Sequence, residues 1–341
     1  YNYIKSLSLL NLDGLMEFNS FGYNKLYNTN VSEKIIVNNL SYKSLDKINN
    51  SGFITNYEFL FKNFNSDSSN STSLKNNLEN TFQGMAQFNA KIPMTKENKK
   101  FKSTFTPIFA AKFNPGSTKN SKNEDRFVDY TNIFSINRIS SNESLEGGAS
   151  ITLGSEYKIF NELDAVDPIF QINLATSLRD KINEDLPIKS SLGQKVSNIV
   201  GETNLKINEF LDLDYNFLAD NNLGELNYHK IKSNFKINNF VTSFEFIEEN
   251  NDIGNESFIA HEASYEFDEN KNLFFRTRKN KKTNLTEYYD LIYQYKMDCL
   301  TAGIEYKKSY YSDGSIKPEE SIYFSITFLP FNNTIDLPGI K

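Results

Sequence analysis

The stretch Leu205-Lys206-Ile207-Asn208-Glu209-Phe210-Leu211-Asp212-Leu213-Asp214-Tyr215-Asn216-Phe217 decides the class of fold. Leu205, Ile207, Leu211, Leu213, Tyr215 and Phe217 share one parity, whereas Lys206, Asn208, Asp212, Asp214 and Asn216 share the other. In an extended chain successive side chains point to opposite faces, so this spacing predicts one long strand with an apolar and a polar face. The same period returns on both sides. Upstream it groups Phe53, Thr55, Tyr57, Phe59 and Phe61, then Phe101, Ser103, Phe105, Phe109, Ala111 and Phe113, then Ile151, Leu153, Tyr157 and Ile159. Downstream it groups Ile259, Ala263, Tyr265 and Phe267, then Tyr289, Leu291, Tyr293, Tyr295 and Met297.

Segments rich in Asn, Asp, Ser, Gly and Pro separate these runs at residues 63–77, 114–125, 179–187, 248–255 and 311–318, the composition that turns require. Residues 221–224 and 268–272 read as very short connections. Short turns alternating with long loops are the asymmetry of a transmembrane barrel. The pattern predicts about 15 strands of about ten residues, enough to cross a bilayer core at barrel tilt. No helix longer than a turn or two is expected, residues 73–81 being the one candidate for a brief coil. With no internal repeat and no linker, residues 1–341 form one all-β domain, an antiparallel transmembrane β-barrel present in part. A soluble β-sandwich also alternates, so periodicity alone leaves that reading open.

Composition narrows the choice. Only 38% of residues are hydrophobic and the mean hydropathy is -0.53, yet 29 Phe and 19 Tyr are too many for a disordered chain. No run approaches the 18 or so apolar residues of a spanning helix, so a membrane crossing must use strands, whose lumenal half can be polar. The net charge of -6 and the lack of a basic stripe argue against nucleic acid; the densest basic run, residues 276–282, is expected at a turn. The single cysteine, Cys299, cannot close a disulfide within the chain and excludes a cysteine-rich zinc site. The sequence begins at Tyr1, in mid-pattern and without a signal peptide, and is read as a fragment whose N-terminal part lies before it.

Residues with catalytic potential form no constellation. His229 and His261 fall on different strands, and neither sits in a nucleophile motif, so both are expected to be structural. Glu248, Glu249 and Asp252, or Asp212 and Asp214, lack the spacing of a calcium-binding EF-hand loop and suit a solvated face. Gly147 and Gly148 lack the strand-to-helix context of a phosphate-binding loop. No catalytic residue, metal or cofactor is expected.

Residues 128–148 are moderately apolar but lack clean alternation, and they lead into the strand containing Ile151. Within them Asn137, Arg138, Ile139 and Ser140 resemble the Asn-Arg-hydrophobic-Ser-Gly stretch of the LptD family of lipopolysaccharide assembly proteins, although Ser141 and Asn142 depart from its Gly-aspartate continuation. Leu213 to Leu223 resembles a late strand and turn of that family. The pair Asp298-Cys299, followed by Gly303-Ile304-Glu305-Tyr306, resembles its near-terminal strands, and Ile322-Tyr323-Phe324-Ser325-Ile326-Thr327-Phe328 its closing strand, with Pro330 at the strand end. The resemblance implies an outer-membrane lipopolysaccharide translocon of a Gram-negative bacterium, holding here the later barrel strands. The jellyroll domain and first barrel strands would precede Tyr1. It further implies that the segment around Arg138 is a lumenal loop, that Cys299 can form a disulfide to the N-terminal region, and that residues 321–331 line a lateral gate. The implied partners are lipopolysaccharide, an LptE-like lipoprotein plug, an LptA-like periplasmic bridge and outer-membrane lipid. A porin or ligand-gated importer is the alternative barrel, and a soluble carbohydrate-binding β-protein the alternative outside the membrane.

Overall fold

The computed structural model describes residues 2–9, 12–27, 30–72, 74–98, 100–161, 166–297, 299–310, 319–328 and 333–335. Over these residues the chain is all-β and antiparallel, with 20 strands and two 3-10 turns, at Ile188–Ser190 and Asn251–Ile253. Residues 74–81 form no helix, and Glu79 already opens a strand. The strand count exceeds the expected 15, partly because Lys47–Ile48, Met94–Glu97 and Asn333–Ile335 are short pieces added to hairpin ends.

The chain divides into two compact units. The first comprises Tyr1–Val166, Gln171–Gly201 and Leu218–Glu225. It contains β1 (Asn2–Leu9), β2 (Leu12–Leu26), β3 (Ser32–Ser44), β4 (Lys47–Ile48), β5 (Ile54–Ser69), β6 (Glu79–Lys91), β7 (Met94–Glu97), β8 (Lys102–Asn114), β9 (Gly148–Phe160) and nearly all of β10 (Phe170–Arg179). The long strands pair as a meander, β1 with β2, β2 with β3, β3 with β5, β5 with β6, β6 with β8 and β8 with β9.

The second unit comprises Asp167–Phe170, Glu202–Phe217 and Leu226–Lys341. It holds most of β11 (Ile199–Asn208) and β12 (Leu211–Ala219), then β13 (Leu226–Ile237), β14 (Phe240–Glu249), β15 (Ser257–Asp268), β16 (Lys271–Asn280), β17 (Leu285–Lys296), β18 (Leu300–Ser309), β19 (Glu319–Phe328) and β20 (Asn333–Ile335). From β13 onward each strand pairs with the next.

Three sequence expectations are corrected here. Residues 205–217 are not one strand but parts of β11 and β12, joined at Glu209 and Phe210. Asn204 Nδ2 donates to Asp214 Oδ1 at 2.7 Å across that turn, so both strands keep even-numbered residues on one face and the alternation passes through the turn unbroken. Residues 63–69 are strand rather than turn. Their Asn and Ser content reflects the end of β5, where the outer face passes from Phe59 and Phe61 to a hydrogen-bonded ladder of Asn38, Asn63, Asn65 and Asn80. Arg276 to Asn280 lie within β16, and the turn comes only at residues 281–284.

In the first unit the register places Lys112, Gln87 and Ser150 on one face and Phe113, Ala86 and Ala149 on the other. The polar face is the buried one. Lys62, Ser66, Gln87, Thr106, Lys112, Asn114, Ser150, Thr152, Asn173 and Ser177 are all buried, whereas Phe59, Phe61, Phe82, Phe88, Phe105, Phe113, Ile151 and Leu153 are exposed. A soluble sheet buries its apolar face. The inverted arrangement is that of a sheet facing lipid outside and a polar lumen inside, which overturns the soluble sandwich. The second unit follows the same rule, with Phe244, Tyr265, Phe267, Tyr289, Leu291 and Ile304 exposed.

Connections alternate in length. In the second unit residues 209–210, 238–239 and 269–270 close one end, while residues 250–256 and 281–284 close the other. In the first unit the long end carries residues 70–78, 115–147 and 180–198. Long loops at one end and short turns at the other are the asymmetry of transmembrane barrels.

Candidate functional site

The loop at residues 115–147 turns back into the first unit and packs on the inner faces of its strands. Apolar contacts seat it. Leu145 packs with Leu60 and Met85, with Ile136 beside them, and Val128, Ile133 and Ile139 are also buried. Polar wall residues bind the loop backbone: Gln83 Oε1 accepts from Leu145 N at 2.7 Å, and Gln87 Nε2 donates to Phe134 O at 2.7 Å. Phe134 of the loop lies over Gly154. A side chain there would bring its Cβ to 2.6 Å from Phe134 Cζ and 2.7 Å from Leu174 O, so the close approach requires glycine.

The centre of the site is Glu146. Arg138 grips it with two charge-assisted bonds, Nε to Oε2 at 2.7 Å and Nη2 to Oε1 at 2.6 Å, a paired geometry that only a guanidinium provides. Arg179, at the end of β10, adds Nη2 to Oε1 at 2.5 Å. It also donates to the carbonyls of Gly147 at 2.7 Å and Leu192 at 3.0 Å. The remaining Arg138 donors reach the hydroxyls of Ser150, Thr152 and Ser177 at 3.0, 3.0 and 2.9 Å. Lys112 Nζ donates to Ser135 O at 2.8 Å and lies 4.0 Å from Glu146 Oε2. Lys62 Nζ, itself 3% exposed as a residue, holds the carbonyls of Ser141 and Asn142.

Three buried cations therefore surround one buried carboxylate. Burial alone would raise the pKa of Glu146, but the charges of Arg138, Lys112 and Arg179 and the Arg138 hydrogen bond override it and hold the group well below the ordinary carboxylate range. The arrangement is a lock, pinning one loop to the walls made by β8, β9 and β10.

The second long loop, residues 180–198, closes over the first. Ser121 N and Oγ both donate to Asp185 O at 2.8 Å, Ile188 N donates to Lys122 O at 3.1 Å, and Asn183 Nδ2 donates to Thr118 Oγ1 at 2.8 Å. Gly148, at φ 89, supplies the left-handed backbone by which the first loop enters β9.

Of the residues picked out by sequence, Arg138 and Ile139 are buried in this site, while Asn137 and the exposed Ser140 make the turn beside them, through Ser140 N to Asn137 O at 3.1 Å. Sequence reasoning missed Glu146, Arg179, Lys112 and Lys62. Elsewhere, Cys299 is exposed in the turn between β17 and β18, while Asp298 lies outside the described residues. In β19, Ile322, Phe324, Ile326 and Phe328 are exposed on one face and alternate with Tyr323, Ser325 and Thr327. Leu329, Pro330 and Phe331 lie outside the described residues. His229 bonds Glu248 at 2.8 Å, and His261 stacks on Phe244 with centroids 4.3 Å apart; these partners are structural.

Antiparallel strands with apolar outer faces, a polar inner face and a folded-in loop define an outer-membrane β-barrel protein. The chain belongs to the LptD family: the family model described as LPS transport system D matches residues 44–270. That span contains the whole Arg138, Glu146 and Arg179 site. No curated protein matches the chain. Among solved structures, it is similar to an engineered triple mutant of Rhodopseudomonas blastica porin at 8% identity and a TM-score of 0.36, over 96% of this chain and 99% of that one. Another mutant of the same porin gives 8% identity and a TM-score of 0.34 over the same shares.

Proposed function

We propose that this chain is the wall of a lipopolysaccharide translocon in the outer membrane of a Gram-negative bacterium, and that residues 115–147 form a lumenal loop that shapes its path. The observation that carries the reading is the Arg138, Glu146 and Arg179 lock in a chain of the LptD family. A fixed inward loop narrows a polar interior. Sugars and phosphates can travel along such a surface while acyl chains stay in lipid, provided that a seam in the wall lets the two parts leave together.

Residues 321–331 supply one side of that seam in this reading. Support comes from β19 itself, which pairs along its length with β18 but on its other edge, among the described residues, only at Ile326, Thr327 and Phe328 with β20. An unpaired edge is a place where a wall opens at little cost. Cys299, exposed at the short-turn end, would bond a cysteine of the N-terminal region. An LptE-like plug and an LptA-like bridge complete the assembly, and transport of this kind needs no covalent step.

The test is Arg138→Glu in the full-length protein, expressed in cells depleted of the wild type. It places two carboxylates together and should release the loop, reducing surface lipopolysaccharide several-fold while the protein still reaches the membrane. Wild-type surface lipopolysaccharide with normal barrel assembly would refute the role of the loop.

A further inference from the structure

Below the lock, toward the short-turn end of the first unit, the inner wall and residues 130–134 line an open recess of about 450 Å³. Its inner-face residues Asn56, Glu58, Asn89 and Glu156 meet Tyr130 and Phe134 of the loop there. We propose that this recess is a saccharide subsite, taking the hydroxyl-rich part of the transported glycolipid; this rests on the translocon reading above.

The chemistry of the lining carries the assignment. Asn89 Nδ2 donates to Asn56 Oδ1 at 2.8 Å and to Glu58 Oε1 at 3.2 Å, and Asn56 Nδ2 donates to Asp46 Oδ1 at 2.7 Å. Tyr130 OH donates to Glu156 Oε1 at 3.1 Å. The amides and carboxylates are thus held in fixed orientations, with donors and acceptors interleaved. The two carboxylates that line the recess each have their own lysine, Lys43 on Glu58 at 3.1 Å and Lys158 on Glu156 at 3.2 Å. These pairs cancel, and Lys91 at the rim adds a single positive charge. A phosphate site would concentrate cations, and a cation site would leave its carboxylates without them. Paired charge with interleaved amides suits vicinal hydroxyls, each of which gives one donor and two acceptor positions. The rings of Tyr130 and Phe134, edge to face at 5.8 Å, supply the apolar surface that the C–H face of a sugar ring needs.

The test uses the full-length protein purified in detergent and the oligosaccharide released from bacterial lipopolysaccharide by mild acid, in dephosphorylated and phosphorylated forms. Saturation-transfer NMR should detect the dephosphorylated form, and both Asn89→Ala and Thr131→Trp should weaken its binding at least about tenfold. Thr131 is exposed on the loop and lines the recess, so its replacement fills the space without touching the wall. Heat-shifted gel migration checks that each variant is folded. No transfer from the protein, binding of the phosphorylated form alone, or variants within twofold of wild type would each overturn the subsite. Surface lipopolysaccharide, measured on the same variants in cells, separates the two readings: a failed binding test with the Arg138→Glu effect intact removes the subsite alone.

Discussion

The two units obey one rule of alternation and fill their inner faces in opposite ways. In the first, residues 115–147 and 180–198 cover the inner wall, and Lys62, Lys112, Arg138 and Arg179 are buried against carbonyls, hydroxyls and a single carboxylate. In the second, the described loops are short and the inner face carries separate ion pairs. Arg276, whose side chain is 44% exposed, meets Asp290 at 3.0 Å, and Lys230 meets Glu245 at 2.8 Å. A polar lumen is compatible with both, because water satisfies an open wall and a folded loop satisfies a closed one. The difference shows which inner face is fixed by a folded loop and which is left open to solvent.

The largest effect should follow Glu146→Ala, which leaves Arg138, Arg179 and Lys112 buried around no anion. Removing one partner from a buried ion pair costs about 3–5 kcal/mol. Residues 115–147 should then detach while the strands remain paired, freeing the backbone after Lys119, Lys122 and Arg126 for cleavage by trypsin. Mass spectrometry of the fragments checks this. A loop as resistant as in the wild type would mean that apolar contacts, and not the lock, hold it.

Arg276→Ala probes the open wall and should do less. It removes the guanidinium from Asp290, whose residue is 5% exposed, but water can enter from the side that Arg276 already shares with solvent. The loss should be about 1–2 kcal/mol, seen as a smaller fall in the temperature of the heat-shifted gel transition than Glu146→Ala produces. An equal fall would erase the distinction between the units.

How much of this contrast was legible depended on range. The strands were readable because alternation is local, but parity could not say which face is buried, since a soluble sandwich alternates in the same way; the burial of Lys62, Gln87 and Lys112 opposite exposed Phe105 and Phe113 decided it. Arg138 was reached through its neighbours Asn137, Ile139 and Ser140. Glu146 lay in the same quoted segment without a signal of its own, since one carboxylate beside two glycines resembles any turn. Its partner Arg179 is 33 residues away at the end of another strand, and Lys112 occupies an ordinary polar position of an alternating run. No local period connects them. The missed turn at Glu209 and Phe210 has a different cause: parity continues across it, and neither Gly nor Pro marks it.

Acid gives a smaller perturbation of the closed unit. Because the folded-state pKa of Glu146 is depressed, its contribution is complete above the ordinary carboxylate range and is lost only as pH falls through the depressed value. At about pH 4, where a free glutamate is more than half protonated, the lock should still hold. Amide hydrogen exchange of residues 133–147 should show the same protection, corrected for intrinsic rate, as at neutral pH. Protection that disappears near pH 4 would mean that Glu146 titrates like an exposed group.

The smallest effect should come from His261→Phe, on the outward face of the second unit. His261 stacks on Phe244 and meets Phe275 edge-on at 5.9 Å, so a phenyl ring keeps the apolar contacts. Its Nε2 lies 2.8 Å from Thr242 Oγ1, but that hydroxyl also donates to Glu262 O at 3.0 Å. The substitution therefore leaves no buried donor without an acceptor, and the change in stability should stay within about 0.5 kcal/mol. Thermal gel transitions and surface lipopolysaccharide should both match the wild type. A fall in stability comparable to that of Arg276→Ala would show that the outward face depends on its polar pair. A fall in lipopolysaccharide alone would give the face a part in transport, because loss of the imidazole would then act without loosening the wall.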